Sequence, residues 1–341
     1  MPNVAIIIQT YNHANFIEKN LQSILEQECN FSFKIIVHDD ASTDGTKEIL
    51  EKFKNNNPEI FDLFLQEHNT HSMHLSKKLS FLRPFRDHIN KFDYVAFCEG
   101  DDFWIKKNKL QIQVDFLQNN KNFSCCFHSF AVLNNKTGHI TYPTNHPNVI
   151  LSPYDLKTNK IFARKCTVLQ RNTGGILLYF DAPNHGGIYE SSFIKNGDLF
   201  RNSQMGYFGK GMYFGNFVGS VFRANEESSW EHLPEVEKAQ HRAVSSYWIA
   251  KFHERMGDLD AAEHWAKGAL ANMHAGLQDI FEKKSQQTQA DRLLFETIDQ
   301  IRLDMFAGNH RKAQRQLKLA LKKNPSNSDL LGLQEWIKRE I

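Results

Sequence analysis

Short apolar runs alternate with helical patterns along the first half of the chain. The runs predict strands at Val4 to Gln9, Phe33 to His38, Asp62 to Gln66, Phe92 to Cys98 and Phe123 to Phe130. A helix over about residues 15–27 is predicted by one apolar face, formed by Ile17, Leu21, Ile24 and Leu25. Further helices are predicted after Thr46 and over about residues 108–117. This alternation predicts an α/β fold, a mostly parallel sheet with helices on both faces.

The pattern changes at about Leu233, after which the chain reads as helices. Two segments there, MGDLDAAEHWAKGAL from Met256 and FAGNHRKAQRQLKLAL from Phe306, share a glycine turn and a closing Ala-Leu at an offset of 51 residues. They resemble the turn and second helix of tetratricopeptide hairpins, whose usual period is about 34 residues. We therefore predict two domains, residues 1–232 and 233–341, the second a small helical domain that packs on the first or dimerises.

Composition is that of an ordinary globular protein. Of 341 residues 41% are apolar and 23% are charged, and the formal net charge of +2 gives no reason to expect a nucleic-acid partner. The sequence shows neither a signal peptide nor an apolar stretch of membrane-spanning length, so we expect a cytoplasmic protein that is at most peripheral to a membrane. Five cysteines without a CxxC pair predict reduced, mostly buried thiols.

Polar side chains follow three of the predicted strands. Gln9, Thr10 and Tyr11 end the first strand, Asp39 and Asp40 end the second, and the loop Glu99-Gly100-Asp101-Asp102 follows the strand that ends at Cys98. The carboxyl ends of parallel strands lie at one edge of a sheet, where ligands bind in such folds. We therefore expect the three loops to meet in one site.

Five carboxylates at one edge repel each other, and a divalent cation with an anionic ligand would compensate them. Mg²⁺ and Mn²⁺ prefer carboxylate and water oxygens, so we assign Glu99, Asp101 and Asp102 as metal ligands. The alternative is a solvated acidic turn in which Asp101 or Asp102 only caps a helix.

A pyrimidine base has an N–H group, and a carboxylate at a strand end can accept a hydrogen bond from it. Asp39 is predicted to have this role. Tyr11 can stack on the base, and Asp40 is placed to approach the ribose. The stretch from Ser42 to Asp44 is typical of a turn into a capped helix.

Three segments, IIIQTYNHANFIEKNLQSILEQ, IIVHDDASTDGTKEIL and FCEGDDFW, together with KKNKLQIQVDFL, resemble those of family 2 glycosyltransferases with the GT-A fold. The resemblance implies an inverting enzyme that takes a sugar from a nucleotide diphosphate, by default UDP, and transfers it to an acceptor hydroxyl. It places Thr10 in the nucleotide site and a base-reading role on Asp39. It also makes Asp101 and Asp102 the more favoured ligands of Mn²⁺ or Mg²⁺.

In the family that this sequence resembles, the catalytic base lies much later, in a Gly-Asp or Glu-Asp pair before a helix. Asn196-Gly197-Asp198 fits that place, so Asp198 is the predicted general base, with Asp181 as the second candidate and a helix cap as the alternative. Many relatives carry Tyr-Arg-x-His near the end of the domain. Arg223 is retained here and is predicted to pair with the diphosphate, but Asn225 replaces the histidine, so a third protein ligand to the metal is in doubt.

Other polar clusters leave alternatives open. The three histidines His68, His71 and His74 have a spacing of three, which can bind zinc, yet no cysteine or carboxylate completes a set. Lys77, Lys78 and Arg83 either meet the diphosphate or face solvent. The basic helical stretch near the C-terminus either rests on an anionic membrane or is a solvated repeat helix; its cations are Arg311, Lys312, Arg315, Lys318, Lys322 and Lys323.

Taken together, these features predict metal-assisted sugar transfer from a nucleotide-sugar donor to a glycan, lipid-linked or glycoprotein acceptor. A sugar nucleotidyltransferase would need a glycine-rich loop after the first strand, whereas the first glycine is Gly45. A non-catalytic binding module that docks through the helical C-terminus is the other alternative.

Overall fold

The computed structural model describes residues 1–70, 84–85, 87–172, 194–224, 233–286 and 289–340. The strands in these ranges are β1 (Val4–Thr10), β2 (Phe33–Asp39), β3 (Phe61–Leu65), β4 (Tyr94–Phe97), β5 (Phe103–Trp104), β6 (Phe123–Asn134), β7 (Ile140–Thr141), β8 (Val149–Leu151), β9 (Leu169–Arg171) and β10 (Lys210–Ala224). Across the described ranges they form one sheet in the order β3-β2-β1-β4-β9-β6-β10-β5, with β7 beside β6 and β8 beside β10.

The sheet is mixed, with one parallel group of β3, β2, β1 and β4 and a second parallel pair of β6 and β10. Strand β1 is parallel to both β2 and β4, and β3 is parallel to β2. Strand β9 lies antiparallel between β4 and β6, while β10 runs parallel to β6. The predicted α/β class with a mostly parallel sheet is confirmed, and all five predicted strands are present within two residues of their expected starts.

Helices cover both faces of the sheet: α1 (Ile17–Leu25), α2 (Thr46–Asn56), α3 (Lys109–Asn119), the short α4 (Pro153–Lys157) and α5 (Gly197–Met205). Strand β1 is apolar at consecutive positions because its alternate side chains enter two separate cores, one on each face of the sheet. Ile6 and Ile8 pack in one core with Leu21 of α1, and Ile7 packs in the other with Phe85. The carboxyl ends of β1, β2 and β4 are thereby fixed at one edge.

The helical C-terminal part comprises α6 (Glu235–Arg255), α7 (Leu259–Gln286), α8 (Gln289–Phe306), α9 (His310–Lys323) and α10 (Ser328–Glu340). The chain divides into two compact units, residues 1–276 and 277–341. In the first unit, Phe252 of α6 and Trp265 of α7 share a core with Phe200 of α5. The second unit has its own core of α8, α9 and α10. The domain boundary at residue 233 stays a prediction.

The two similar segments adopt the same turn. Gly257 and Gly308 both have φ of +77°, a left-handed conformation that glycine adopts without strain. The amide after each glycine donates back to a carbonyl five residues earlier: Asp258 to His253 at 2.9 Å and Asn309 to Asp304 at 2.8 Å. The repeat seen in the sequence is thus a repeated helix-ending turn followed by a new helix.

The thiols and the helices of the described residues can be compared with the expectations from composition. All five cysteines are free thiols, and four of them are buried. Within the described ranges, no helix combines the length and the apolar character that crossing a membrane requires.

Candidate active site

Three loops converge at the carboxyl edge of β2, β1 and β4. Thr10 at the end of β1 pairs in register with Asp39 at the end of β2. The Asp40 amide donates to the Thr10 carbonyl at 3.0 Å, and the Gly100 amide donates to the Gln9 carbonyl at 3.1 Å. The predicted meeting of the three loops is therefore present in the structure.

The acidic loop packs directly against the end of β1. A β-carbon built on Gly100 would lie 2.6 Å from His13 Nδ1 and 2.7 Å from Thr10 Oγ1, so only glycine fits there. Both of those polar atoms are buried without a hydrogen-bond partner among the described residues. His13 was not predicted as a site residue, because its place after β1 carries no pattern that sequence reasoning recognises.

The side chain of Asn20, on α1, holds the acidic loop in place through two hydrogen bonds. Its side chain is fully buried, and its Nδ2 donates to the carbonyls of Glu99 and Asp102, each at 2.8 Å. Asn20 was not among the predicted site residues. A polar residue on the apolar face of α1, one position before Leu21, was the available signal, since a buried amide needs partners.

The three acidic side chains of the loop differ in their partners. Glu99 Oε1 accepts from Lys165 Nζ at 2.6 Å, and Asp102 Oδ1 accepts from the Arg223 backbone amide at 2.9 Å. Within the described part of the chain, the carboxylate of Asp101 accepts from its own backbone amide and forms no hydrogen bond or ion pair with another residue. Asp101 is therefore the carboxylate most open to a ligand.

Burial and mutual repulsion act on the acids together. Burial raises the pKa of Asp102 well above its ordinary value, and the neighbouring Asp101 and Glu99 carboxylates add to this effect. Burial also raises the pKa of Asp101, although His13 opposes the shift. Carboxyl groups in this arrangement are stabilised in their ionised form by a cation.

These residues fit a divalent cation whose ligands come partly from the protein and partly from a bound phosphate group. Among the described residues no group of three or more His, Cys, Asp or Glu side chains is arranged to hold a metal ion. Mg²⁺ and similar hard cations are usually bound by one or two carboxylates together with substrate phosphates. Asp101, with Asp102 beside it, offers such a partial set, whereas the Glu99 carboxylate is engaged by Lys165.

The residues predicted to hold the nucleoside form a tightly bonded pair of turns. Asp39 is buried, and its carboxylate accepts from the Ser42 amide at 3.0 Å and also from the Ser42 hydroxyl. Asp40 Oδ1 accepts from the Thr70 amide at 2.8 Å. Tyr11 is 46% exposed, so its ring is free to stack on a ligand. The base-reading and ribose-binding roles stay predictions, because both carboxylates here also hold their own loops.

Strained backbone marks the same region. Asn12 and Ala41 have φ of 54° and 65°, values that side-chain-bearing residues rarely adopt. The Ser42 hydroxyl accepts from the Asn12 amide at 2.9 Å, and Asn12 Oδ1 accepts from the Thr43 amide at 2.9 Å. Such strain persists only where surrounding bonds impose it, and it is concentrated at functional sites.

Lys165 brings the predicted general base to the acidic loop. This lysine lies in a short 3₁₀ helix, Lys165–Thr167, and its Nζ is 3.5 Å from Asp198 Oδ1 as well as 2.6 Å from Glu99 Oε1. Asp198 stands in the first turn of α5 with about a quarter of its side chain exposed. Burial raises the pKa of Asp198, but the Lys165 and Arg201 cations outweigh it and hold the pKa below its ordinary value. Asp198 is thus an ionised carboxylate beside the acidic loop.

Arg223 lies on the other side of that loop. Its Nε donates to the Asp101 carbonyl at 2.9 Å, and its guanidinium stacks over Phe16, 4.5 Å from the ring centroid. The residue predicted to meet the diphosphate therefore also fixes the loop that carries the predicted metal ligands.

Several other predicted residues lie outside the described ranges. They are His71, His74, Lys77, Lys78, Arg83, Asp181 and Asn225. The zinc alternative, the diphosphate contacts of that segment and the second candidate base stay untested predictions.

A mixed sheet of this kind, with an acidic loop at the carboxyl edge of its parallel strands, is typical of the GT-A fold. Residues 5–181, just over half of the chain, match the model of glycosyl transferase family 2. The protein belongs to glycosyl transferase family 2.

Curated relatives share the amino-terminal part. The putative teichuronic acid biosynthesis glycosyltransferase TuaG of Bacillus subtilis is 32% identical over 126 residues, 37% of this chain and 45% of that protein. The dTDP-rhamnosyl transferase RfbG of Shigella flexneri is 32% identical over 143 residues, 41% of this chain and 44% of that protein. The chain thus spans less than half the length of each of these relatives.

Solved structures with similar folds are more distant in sequence. S. aureus TarS 1-349 in complex with UDP-GlcNAc has a TM-score of 0.55 at 16% identity, over 80% of this chain and 73% of that one. The mannosyltransferase PcManGT of Pyrobaculum calidifontis, in complex with GDP-Man and Mn²⁺, has a TM-score of 0.52 at 16% identity, over 96% and 88%. These likenesses establish the GT-A fold.

Proposed function

We propose that this glycosyltransferase transfers a sugar from a nucleotide diphosphate donor, by default a UDP-sugar, to an acceptor hydroxyl with inversion at the anomeric carbon. The observation that carries the proposal is the Lys165 bridge, which holds Asp198 beside the acidic loop with its carboxylate ionised. The UDP-GlcNAc and GDP-Man complexes of TarS and PcManGT support a nucleotide-sugar donor.

The proposed reaction is a single displacement. The acceptor oxygen forms a bond to the anomeric carbon, the bond from that carbon to the donor phosphate breaks, and the hydroxyl proton passes to Asp198. Oδ1 of Asp198 is the atom nearest to Lys165 and Arg201, so we assign proton acceptance to Oδ2. The low pKa of Asp198 keeps it unprotonated before each turnover.

The donor is proposed to bind at the three converging loops. Asp101 and Asp102 would hold Mn²⁺ or Mg²⁺, which neutralises the charge that develops on the departing diphosphate. Tyr11 would stack on the base, with Asp39 and Asp40 at the base and ribose, and Gln9 and Thr10 at the floor of the site. Arg223 would keep the acidic loop in place and meet the diphosphate.

The acceptor class is open among glycan, lipid-linked and protein-linked hydroxyls. One relative, WfaP of Escherichia coli, is named as a glucosyltransferase that uses UDP-Glc and a GlcNAc-diphosphoundecaprenol acceptor, and it is 31% identical over 123 residues. A lipid-linked acceptor would suit a peripheral membrane contact through α9, on which Arg311, Arg315 and Lys318 are exposed. The alternative for this unit is a homodimer contact.

The proposal is tested by nucleoside diphosphate release. Purified protein is incubated with UDP-, GDP- and dTDP-sugars, with Mn²⁺, with Mg²⁺ or with EDTA, and the released diphosphate is measured. We expect metal-dependent release from one donor class, faster when an acceptor hydroxyl is supplied. Release that is equally fast in EDTA, or none from any donor, would contradict the proposal.

Replacing Lys165 by methionine is expected to shift the pH dependence of transfer. Lys165 lowers the pKa of Asp198, so its removal leaves burial opposed by Arg201 and Arg164 without the lysine, and the base then protonates at a higher pH. We expect the acidic limb of the pH–rate profile to move to higher pH in Lys165→Met. The matched control is Lys160→Met, which removes an exposed partner of Asp155 and should leave the profile in place. An unshifted acidic limb in Lys165→Met would mean that Asp198 does not control the rate.

A further inference from the structure

One arginine beside the proposed base has no protein partner for its guanidinium N–H groups within the described part of the chain. Arg164 immediately precedes Lys165, and it is close enough to Asp198 to help lower the pKa of that carboxyl. Its Nε is buried without a hydrogen-bond acceptor, while the side chain as a whole is half-buried. A guanidinium held in this way has N–H groups to offer to a ligand.

Aromatic rings fix the guanidinium of Arg164 in position. Its central carbon lies 4.1 Å from the ring centroid of Phe222, 5.5 Å from that of Phe162 and 5.8 Å from that of Phe130. The rings of Phe130 and Phe222 meet edge to face at 6.3 Å. We call Arg164 with Phe130, Phe162 and Phe222 the Arg164 patch. Stacking against rings leaves the edge of a planar guanidinium open for paired hydrogen bonds.

Two side chains of α5 hold the backbone next to Arg164 by hydrogen bonds. Asn202 Nδ2 and Arg201 Nη2 both donate to the carbonyl of Ala163, at 2.9 Å and 3.3 Å. Ala163 is buried, whereas its neighbours Phe162 and Arg164 are at least partly exposed. The same helix carries Asp198, so the patch and the proposed base are held by one element.

The charges around Asp198 do not balance. Three cations, Arg164, Lys165 and Arg201, act on Asp198, and among the described residues the carboxylates that pair with these cations are Asp198 and Glu99. Three positive and two negative charges leave an excess of one positive charge on the base side of the site. Arg223 faces the acidic loop and directly follows Phe222 on β10. Because successive residues of a strand point to opposite faces of the sheet, Phe222 points away from the face that carries Arg223. The Arg164 patch therefore belongs to the base side rather than to the metal side.

We infer that the Arg164 patch is an acceptor subsite for an anionic group, a phosphate or a carboxylate, carried by the acceptor near its reacting hydroxyl. The inference rests on the proposed function, because it takes Asp198 as the base that meets the acceptor. Arg164 forms paired hydrogen bonds to the anion, and the rings of Phe130, Phe162 and Phe222 contact the apolar face of a sugar.

The test measures binding of three matched probes by calorimetry in the presence of UDP and Mn²⁺. The probes are methyl β-glucoside, methyl β-glucoside 6-phosphate and methyl β-glucuronoside, which differ only at carbon 6. We expect at least one anionic probe to bind wild-type protein about tenfold more tightly than the neutral one, the size expected for one charge-assisted contact. A preference for the phosphate probe assigns a phosphate-bearing acceptor, and a preference for the glucuronoside assigns a uronate.

Two variants and a control decide the outcome. Arg164→Gln should remove the preference for the anionic probe, Arg164→Lys should keep part of it as a point charge, and Arg302→Gln, an exposed arginine in α8, should keep all of it. The inference is overturned if neither anionic probe binds better than the neutral one, or if the preference survives in Arg164→Gln. It is also overturned if Arg164→Gln weakens UDP binding as much as anion binding, because Arg164 then contacts the donor. The UDP titration of the wild type reports separately on the proposed function.

Discussion

Asp101→Ala is expected to lower nucleoside diphosphate release by about two to three orders of magnitude, because several kcal/mol of charge stabilisation by the metal is lost. The Asp101 side chain makes no hydrogen bond or ion pair with another described residue and accepts from its own backbone amide, so its removal should leave the fold unchanged. The measurement is the steady-state release rate at saturating Mn²⁺, together with the melting temperature. A normal rate in Asp101→Ala would rule out its role as a metal ligand.

Asp102 needs a different pair of variants, because its carboxylate is buried and accepts from the Arg223 amide. Asp102→Ala leaves that amide unpaired, at a cost of about 1–3 kcal/mol. Asp102→Asn keeps an acceptor oxygen but removes the charge, so it separates metal binding from stability. Asp115→Ala, an exposed carboxylate on α3, is the control that should keep full activity.

Asp198→Asn is expected to keep donor binding and to lower transfer to the acceptor by about 10² to 10⁴-fold, the contribution usual for a general base. The amide retains the shape of the side chain but cannot accept the acceptor's proton. Transfer is measured as the initial rate of product formation, and donor affinity is measured by calorimetry on the same protein.

The control for Asp198 is a carboxylate in an equivalent helical place. Asp329 lies in the first turn of α10 and is exposed, so Asp329→Asn removes a helix-start charge without touching the site. If Asp198 only caps its helix, both variants should change stability slightly and leave transfer intact. Loss of donor binding in Asp198→Asn would instead assign that residue a structural role.

The amino-terminal fold followed from the sequence because its signals are local. The runs at β1 and β2 are almost entirely apolar where they are buried, and Ile17, Leu21 and Ile24 of α1 recur with helical spacing and are all buried. Parallel order then brought Thr10, Asp39 and Gly100 to one edge by geometry alone.

Strand β10 was not predicted, although it is 15 residues long and pairs with both β6 and β5. Glycines at 211, 215 and 219 interrupt its apolar alternation, and the pairing with β6 shifts register after Phe214 and again at Val218. Such a strand is specified by its neighbours rather than by its own pattern.

The long-range partners of the site were also beyond sequence reasoning. Lys165 is 66 residues from Glu99, and Asn20 is 79 residues from it. Nothing in the local sequence distinguishes Lys165 from a solvated lysine, and its role depends on where the 3₁₀ helix meets α5. The acids were found because they cluster in sequence, whereas the groups that position them do not.

We propose above all that a nucleotide diphosphate and a divalent cation bind together at the three converging loops. Calorimetry of UDP, GDP and dTDP binding to the wild type, with Mn²⁺ and then with EDTA, tests it most directly. We predict that one nucleotide binds at least about tenfold more tightly with Mn²⁺, and that Asp101→Ala removes the difference. Equal affinity in Mn²⁺ and EDTA, or no binding of any of the three, would contradict the account.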